Sequence, residues 1–255
     1  MLTIAHLSDI HLGQVHRRDG GRRARRRAEQ VVAYLDALPG PLDAVLVTGD
    51  LADHGLAEEY RQVAEVLASR HPVLTCPGNH DSRAPYREVL LGRAPAQGPV
   101  NRLHELPGAD VLMLDSSIPG QHDGLLDEET LDWLDARLAA GRAGVPALVA
   151  FHHPPVDLHL PRVDGIRQFG EAGLARVLRR HPRVVALFCG HSHTAAATTF
   201  AGLPLLVAPG VVSTVTLPCE GGQGISFDHP PMLAFHVLDG EGRITTHYRV
   251  VPVMD

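Results

Sequence analysis

The 255-residue chain contains no lysine; all 23 of its basic residues are arginine. Schiff-base chemistry and a Walker-type phosphate loop, both of which need a lysine amine, are thereby excluded. Cysteine is scarce as well. Cys76, Cys189 and Cys219 make an odd number with no CxxC pair, so neither a disulfide framework nor a thiolate zinc site is expected, and a reducing cytoplasm is the expected compartment. No apolar run reaches the roughly 18 residues that a membrane span needs. Met1 leads straight into Leu2-Thr3-Ile4-Ala5 without a basic leader, so neither secretion nor membrane insertion is expected. An excess of positive charge is also missing. At a formal charge of -6 the chain lacks the basic footprint of a duplex nucleic-acid binder.

What is present is a 44% apolar composition, sufficient for a substantial core in one domain spanning residues 1–255. Apolar runs of strand length cover Leu2–Leu7, Ala44–Val47, Val73–Thr75, Val111–Leu114, Ala147–Phe151, Val184–Phe188, Leu205–Val207, Met232–Leu238 and Ile244–Val250. Between them, helical spacing marks Arg22–Leu38, stopped by Pro39-Gly40-Pro41, and then Ala57–Ser69, Asp127–Ala140 and Glu171–Arg179. Strands alternating with helices, then strands joined by turns, predict an α/β sandwich of two packed sheets flanked by helices. The glycine-rich stretch Glu220–Gly224 is too short for a linker and reads as a loop.

The chain also holds 17 histidines, and their positions are informative. Five short clusters each follow an expected strand: Asp9-Ile10-His11, Gly49-Asp50, Gly78-Asn79-His80-Asp81, His152-His153-Pro154 and Gly190-His191-Ser192-His193. Strand ends are where open α/β sheets present their ligand loops. All the clusters supply oxygen or imidazole donors, so one shared carboxylate–histidine metal centre explains them more economically than five unrelated structural residues. In Asp9-x-His11 and His191-x-His193, residues two apart face the same side of an extended chain, so both members of each pair can reach one centre. Gly49, Gly78 and Gly190 stand where the backbone turns sharply or approaches a metal closely.

In this order the motifs D-x-H, G-D, G-N-H-D, H-H-P and G-H-x-H, spread over residues 6–193, resemble those of the calcineurin-like metallophosphoesterases. The resemblance implies a four-layer α/β/β/α sandwich and two metal ions. Asp9, His11, Asp50 and His193 would hold the first ion; Asp50, Asn79, His152 and His191 would hold the second, with Asp50 as the bridge. It implies that His80 approaches the leaving-group oxygen with Asp81 beside it. Asp81 then either orients the His80 imidazole or caps a helix over Ser82–Leu91. Two cations would lower the pKa of a bridging water and clamp the phosphoryl oxygens for in-line displacement. Manganese, iron, zinc and cobalt all suit such donors.

Departures around the motifs narrow the branch. Asp53 replaces the tyrosine of purple acid phosphatases, and His54 replaces the phosphate-gripping arginine of Ser/Thr protein phosphatases. The stretch Gly49–Tyr60, the N-H-D motif, the His152–Pro155 run and Asp228-His229-Pro230-Pro231 are most similar to class III cyclic nucleotide and glycerophosphodiester phosphodiesterases. A small phosphodiester is thus the expected substrate: a 3′,5′-cyclic nucleotide, a glycerophosphodiester, or a broader set of diesters and phosphonate esters. Homo-oligomers are common among such enzymes. A repair-type nuclease would need a further DNA-binding region, and a non-catalytic scaffold would be expected to have lost ligands that are all present here.

Three further features complete the reading. The arginine block over Arg17–Arg27 is expected to be solvated, or to steer an anionic substrate. His153, next to Pro154, should turn away from the metal and support the ligands from behind. His6, His16, His54, His122, His159 and His229 are expected at the surface, and Cys76 and Cys189 as buried apolar packing.

Overall fold

A computed structural model describes residues 1–221 and 224–252. Residues 222 and 223 of the expected 220–224 loop, and 253–255 of the expected domain, lie outside the described residues. The first half of the chain runs β1 (Leu2–Leu7), α1 (Arg22–Asp36), β2 (Ala44–Thr48), α2 (Ala57–Val66), β3 (Val73–Cys76), α3 (Arg83–Pro85), β4 (Arg102–Glu105), β5 (Asp110–Met113), β6 (Gly124–Leu125) and α4 (Glu128–Ala139). The second half runs β7 (Ala147–Ala150), α5 (Pro161–Asp164), β8 (Gln168–Phe169), α6 (Glu171–Arg180), β9 (Val184–Cys189), β10 (Ala196–Phe200), β11 (Leu203–Val207), β12 (Thr214–Val215), β13 (Ile225–Ser226), β14 (Met232–Leu238) and β15 (Ile244–Val250).

Two mixed sheets carry the architecture. One has the strand order β15-β14-β1-β2-β3, the other β10-β11-β9-β7-β5-β4. Strands β1, β2 and the edge strand β3 are parallel, as are β5, β7, β9 and β11, while β14 and β15 join the first sheet, and β4 and β10 the second, in antiparallel pairing. Strand alternation explains the layering. Leu2 and Ile4 of β1, Ala44 and Leu46 of β2, and Met113, Leu148 and Phe188 of the second sheet form one cluster between the sheets. The opposite-facing Ala5, Leu7, Val45 and Val47 pack on Ala28, Val31 and Leu35 of α1 and on Tyr60 and Val63 of α2. Val149, Leu187 and Leu205 likewise pack on Leu134 and Leu138 of α4 and on Leu174 and Leu178 of α6. The order is helix, sheet, sheet, helix, as expected, and each fully buried Leu or Phe contributes about 1.5–3 kcal/mol to it.

The differences from expectation fall at the margins. β4 and β10 are edge strands whose residues are largely half-buried or exposed, so they lack the apolar pattern that marks the central strands. The expected helix Ser82–Leu91 is a single α turn, α3, continued by a π turn over Tyr86–Leu90. Among the described residues no helix is long and apolar enough to cross a membrane.

Candidate metal centre

The C-terminal ends of β1, β2, β3, β7 and β9 open onto loops that are sewn to one another. Asp9 N–H donates to the Gly49 carbonyl, His11 N–H to that of Asp50, and Leu12 N–H to that of Leu51. The loop after β1 therefore runs as a ribbon beside the loop after β2. Val211 and Val212 N–H donate to the Ser8 and Asp9 carbonyls and close the other side.

The backbone there is unusual. Nine non-glycine residues among those described have left-handed φ values, and five of them are expected ligands: Asp9 (58°), His11 (43°), Asp50 (50°), His191 (66°) and His193 (51°). Residues with a Cβ rarely adopt this region, and such strain gathers where a site over-determines the chain. Asp9-x-His11 and His191-x-His193 thus converge through left-handed turns and not through the alternation of an extended strand, which corrects the sequence reading. Gly78 answers a need for space: a Cβ there would lie 2.3 Å from Asp50 Oδ1 and 2.5 Å from the Asp50 nitrogen. Gly49 answers both needs, with φ at +90° and a would-be Cβ 2.4 Å from His152 Nδ1.

All seven expected ligands come together. Donor atoms of Asp9, His11, Asp50 and His193 lie within 4.8 Å of one another. On the other side, His152 Nε2 is 3.2 Å from Asn79 Oδ1, and His191 Nδ1 is 3.1 Å from Asn79 Oδ1 and 3.3 Å from His152 Nε2. Asp50 Oδ2 lies between the two sets, 3.5 Å from His11 Nε2 and 3.4 Å from His152 Nε2.

Hydrogen bonds behind the cage fix which atoms face inward. His11 Nδ1–H donates to Asp53 Oδ1 (2.9 Å), and His152 Nδ1–H donates to the Thr48 carbonyl (2.6 Å). Each ring is thereby held in the tautomer that leaves Nε2 as a lone pair, the arrangement typical of metal-ligating histidine. His193 Nδ1 is similarly engaged with Ser213 Oγ at 2.8 Å. His11 Nε2 and His193 Nε2 then face each other at 3.3 Å, and the fully buried Asp9 Oδ1, 3.3 Å from His193 Nε2, makes no hydrogen bond among the described residues. Converging lone pairs and an unpartnered buried carboxylate oxygen repel one another unless a cation sits among them, so the donor set fits metal ions. The electrostatics agree. Burial opposes charge on His152, yet Asp50 and Asp9 outweigh it and lift the imidazole to about 9; burial likewise opposes charge on His11, which the Asp53 hydrogen bond, Asp50 and Asp9 nevertheless raise. Both rings respond to a cation-seeking pocket.

His80 projects over this cage with its side chain about one-third exposed. Its N–H donates to Asp50 Oδ1 (2.9 Å) and its Nδ1–H to the Asp53 carbonyl (2.7 Å), which leaves Nε2 toward the cleft. The role expected for Asp81 needs correction. Its carboxylate accepts from the Leu51, Ala52 and Gly78 N–H groups and from Tyr60 O–H, and it neither touches the His80 ring nor caps α3. Asp81 locks the loops after β2 and β3 together. Burial and then Asp50 push its carboxyl up to about 6, against the three amides.

Several partners of the ligands stand outside the motifs. Asp53 served only to distinguish branches, although it holds both His11 and, through its carbonyl, His80. Its spacing after Asp50 was the available signal. Thr48 and Ser213 act through one atom each and left none. His153, expected to turn away from the metal, holds Ser116 Oγ at 2.8 Å from its Nδ1 but keeps a ring nitrogen within 4.8 Å of those of His152 and His191. His6 is not at the surface but fully buried between the sheets. Within the arginine block, Arg27 is buried and donates to the Val211, Val212, Phe227 and His229 carbonyls, whereas Arg25 pairs with Glu29 and Glu65. The others include Arg17, Arg22, Arg23 and Arg26, which line a separate cleft of about 450 Å³.

Two cavities adjoin the cage. One of about 280 Å³ has Asp50, His191 and His193 on its floor and Val163, Ile166, Val215 and Ile225 as apolar walls. The other, about 500 Å³, is bounded by Asp53, His54, Ser82 and Gln97, and the two share Asn79, His80 and His122. A larger cleft of about 620 Å³ lies elsewhere, beside Gly108 and Gly240; its two arginines, Arg142 and Arg183, are already paired with Asp110.

Comparison with known proteins accords with this geometry. The family described as calcineurin-like phosphoesterase matches residues 2–195. A probable cyclic nucleotide phosphodiesterase of Rhodococcus erythropolis is 36% identical over 86% of this chain and 74% of its own length. A glycerophosphodiester phosphodiesterase of Enterobacter lignolyticus is 32% identical over 94% and 88%, and a cAMP/cGMP dual specificity phosphodiesterase of Mycobacterium tuberculosis 34% over 89% and 75%. In fold, the chain is similar to a dimetal phosphatase from Danio rerio, with a TM-score of 0.70 at 16% identity over 98% of this chain and 99% of that one. The chain belongs to the calcineurin-like phosphoesterase family.

Proposed function

We propose that the protein is a metal-dependent phosphodiesterase acting on small diesters, 3′,5′-cyclic nucleotides or close relatives of them, through two metal ions bridged by Asp50. The observation that carries this reading is the place of Asp50 Oδ2, within 3.5 Å of an imidazole nitrogen in each donor set. Asp9, His11, Asp50 and His193 would hold one ion, and Asp50, Asn79, His152 and His191 the other. Bound there, the ions would supply Lewis acidity at the phosphoryl oxygens and a water acidic enough to attack near neutral pH.

The chain's own residues do the rest. Asp53 and Thr48 orient the His11 and His152 rings. In its imidazolium form His80 keeps Nδ1–H on the Asp53 carbonyl, presents Nε2–H to the departing alkoxide and passes that proton to it, ending as the neutral ring, a contribution worth about a hundredfold to ten-thousandfold. The Val163, Ile166, Val215 and Ile225 wall gives the organic part of a diester an apolar surface beside the donors, which inorganic phosphate or a small polar monoester would not use. The relatives' names support the same substrate class and include both cyclic nucleotide and glycerophosphodiester activities.

The test is an assay of metal-loaded protein on 3′,5′-cyclic AMP, bis(p-nitrophenyl) phosphate, a glycerophosphodiester, a phosphomonoester and single-stranded DNA. Turnover of the small diesters, lost on chelation, is expected. Hydrolysis of the monoester alone would overturn the substrate class.

A further inference from the structure

We infer that His122 is a second imidazole that touches the departing alcohol, across the cleft from His80; this rests on the diesterase reading above. Among the described residues only Asn79, His80 and His122 line both cavities, so any diester spanning the two passes these side chains. The His122 ring is exposed, and its centroid lies 6.3 Å from that of His80. A single oxygen between the rings can be met from both sides.

The loop that presents His122 is built for that placement. Ile118-Pro119-Gly120-Gln121 forms a tight turn in which Gln121 N–H donates to the Ile118 carbonyl (2.9 Å). Proline presets φ at the second position and Gly120, with φ at 78°, takes the left-handed third, the requirements of a type II turn. His122 follows directly. Beneath it, Asp115 accepts from Ser117 N–H and from Arg83 Nε, Arg83 Nη2 donates to the Ser117 carbonyl, and Leu125 N–H donates to that of Ser116. Gly124 lies flat on His153, where a Cβ would fall 2.4 Å from the ring. The neighbour of a cage ligand therefore serves as the floor of the His122 loop. A ring on so firmly seated a turn, with no hydrogen-bond partner among the described residues, is preorganised for an incoming ligand.

A hydrogen bond from His122 to the departing oxygen matters most when that oxygen leaves as a poor alkoxide. His122→Ala should lower kcat/KM on 3′,5′-cyclic AMP by about ten- to hundredfold. On bis(p-nitrophenyl) phosphate, whose phenolate departs unaided, the loss should be only a few-fold. His122→Gln, which keeps a donor, should recover part of the loss. In a His80→Ala background the same change should cost much less, because the two rings share one oxygen. Metal content and thermal midpoint should stay at wild-type values, which separates substrate contact from loop support. Equal losses on both esters, no loss, or losses that multiply with His80→Ala would overturn the assignment of His122 alone. An inactive metal-loaded wild type would overturn the diesterase reading together with it.

Discussion

His6 and His11 flank the same strand end, and both are buried, at 0% and 3% exposure, yet their rings sit in opposite circumstances. His6 belongs to a chain between the sheets in which every nitrogen is matched. Its Nε2 lies 2.9 Å from Thr48 Oγ1 and its Nδ1 3.0 Å from His236 Nε2, while His236 Nδ1 lies 2.8 Å from Thr246 Oγ1. Either direction of donation satisfies the whole chain, and the backbone is ordinary strand. Around His11, His152 and His193, each Nδ1 is engaged from behind and the remaining lone pairs converge on one another, those of His11 and His193 from left-handed turns. Burial alone does not make a histidine a ligand; what distinguishes the two groups is whether the inward atoms have protein partners.

The comparison breaks most directly at Asp50, which lies between the two donor sets. Asp50→Asn keeps the shape but removes the charge shared by both donor sets. Turnover should fall more than about a thousandfold, equivalent to several kcal/mol of lost charge stabilisation, and metal content measured by atomic absorption should fall with it. Full activity in this variant would end the two-metal reading. Gly78→Ala attacks the same point through space. Its methyl would have to displace Asp50 Oδ1 and backbone, an overpacking cost of about 1–3 kcal/mol, so a lowered thermal midpoint together with lost metal is expected. An unchanged midpoint would mean the loop after β3 yields more easily than its Asp81 tether suggests. Asp53→Asn is milder. It leaves the ligands in place but weakens the anchor behind His11, so metal affinity should drop about 10- to 100-fold in a chelator competition; His6→Gln should leave that affinity alone.

Much of this was legible in the sequence because the ligands announce themselves twice, by residue type and by position after an apolar strand. The central strands Leu2–Leu7 and Met232–Leu238 were readable to the residue, since burial on both faces leaves a continuous apolar run. The partners were less so. Thr48 acts through a backbone carbonyl, which any residue carries, and Asp81 through backbone amides, so neither role depends on a neighbouring motif. His6 was misread as exposed because its partner, His236, is 230 residues away and comes beside it only once β14 pairs antiparallel with β1. The left-handed ligand residues were also out of reach, since aspartate and histidine do not demand positive φ as glycine permits it.

The matched pair His6–His236 and the cage residue His152 should also answer pH with opposite signs when the metals are removed by chelation. Burial holds His6 well below the usual imidazole range, with His236 adding to the effect, and burial lowers His236 to about 3. Their stabilising contribution is complete above the unfolded value near 6.5 and is lost as pH falls below it, that of His236 down to about 3, at about 1.4 kcal/mol per pH unit for each residue that the fold keeps neutral. His152, lifted to about 9, contributes stability that is complete below about 6.5 and is lost as pH rises through about 9. His191 and His193 are lowered by burial and add to the acid-side loss, but they do so equally in any variant that spares the cage. Replacing the pair together, His6→Gln with His236→Gln, should flatten the stability profile measured by denaturant titration between about pH 6.5 and 4.5 and leave the alkaline limb unchanged. Parallel acid limbs in the wild type and the double variant would show that the matched chain does not hold its histidines neutral, and the contrast between the two groups would lose its basis.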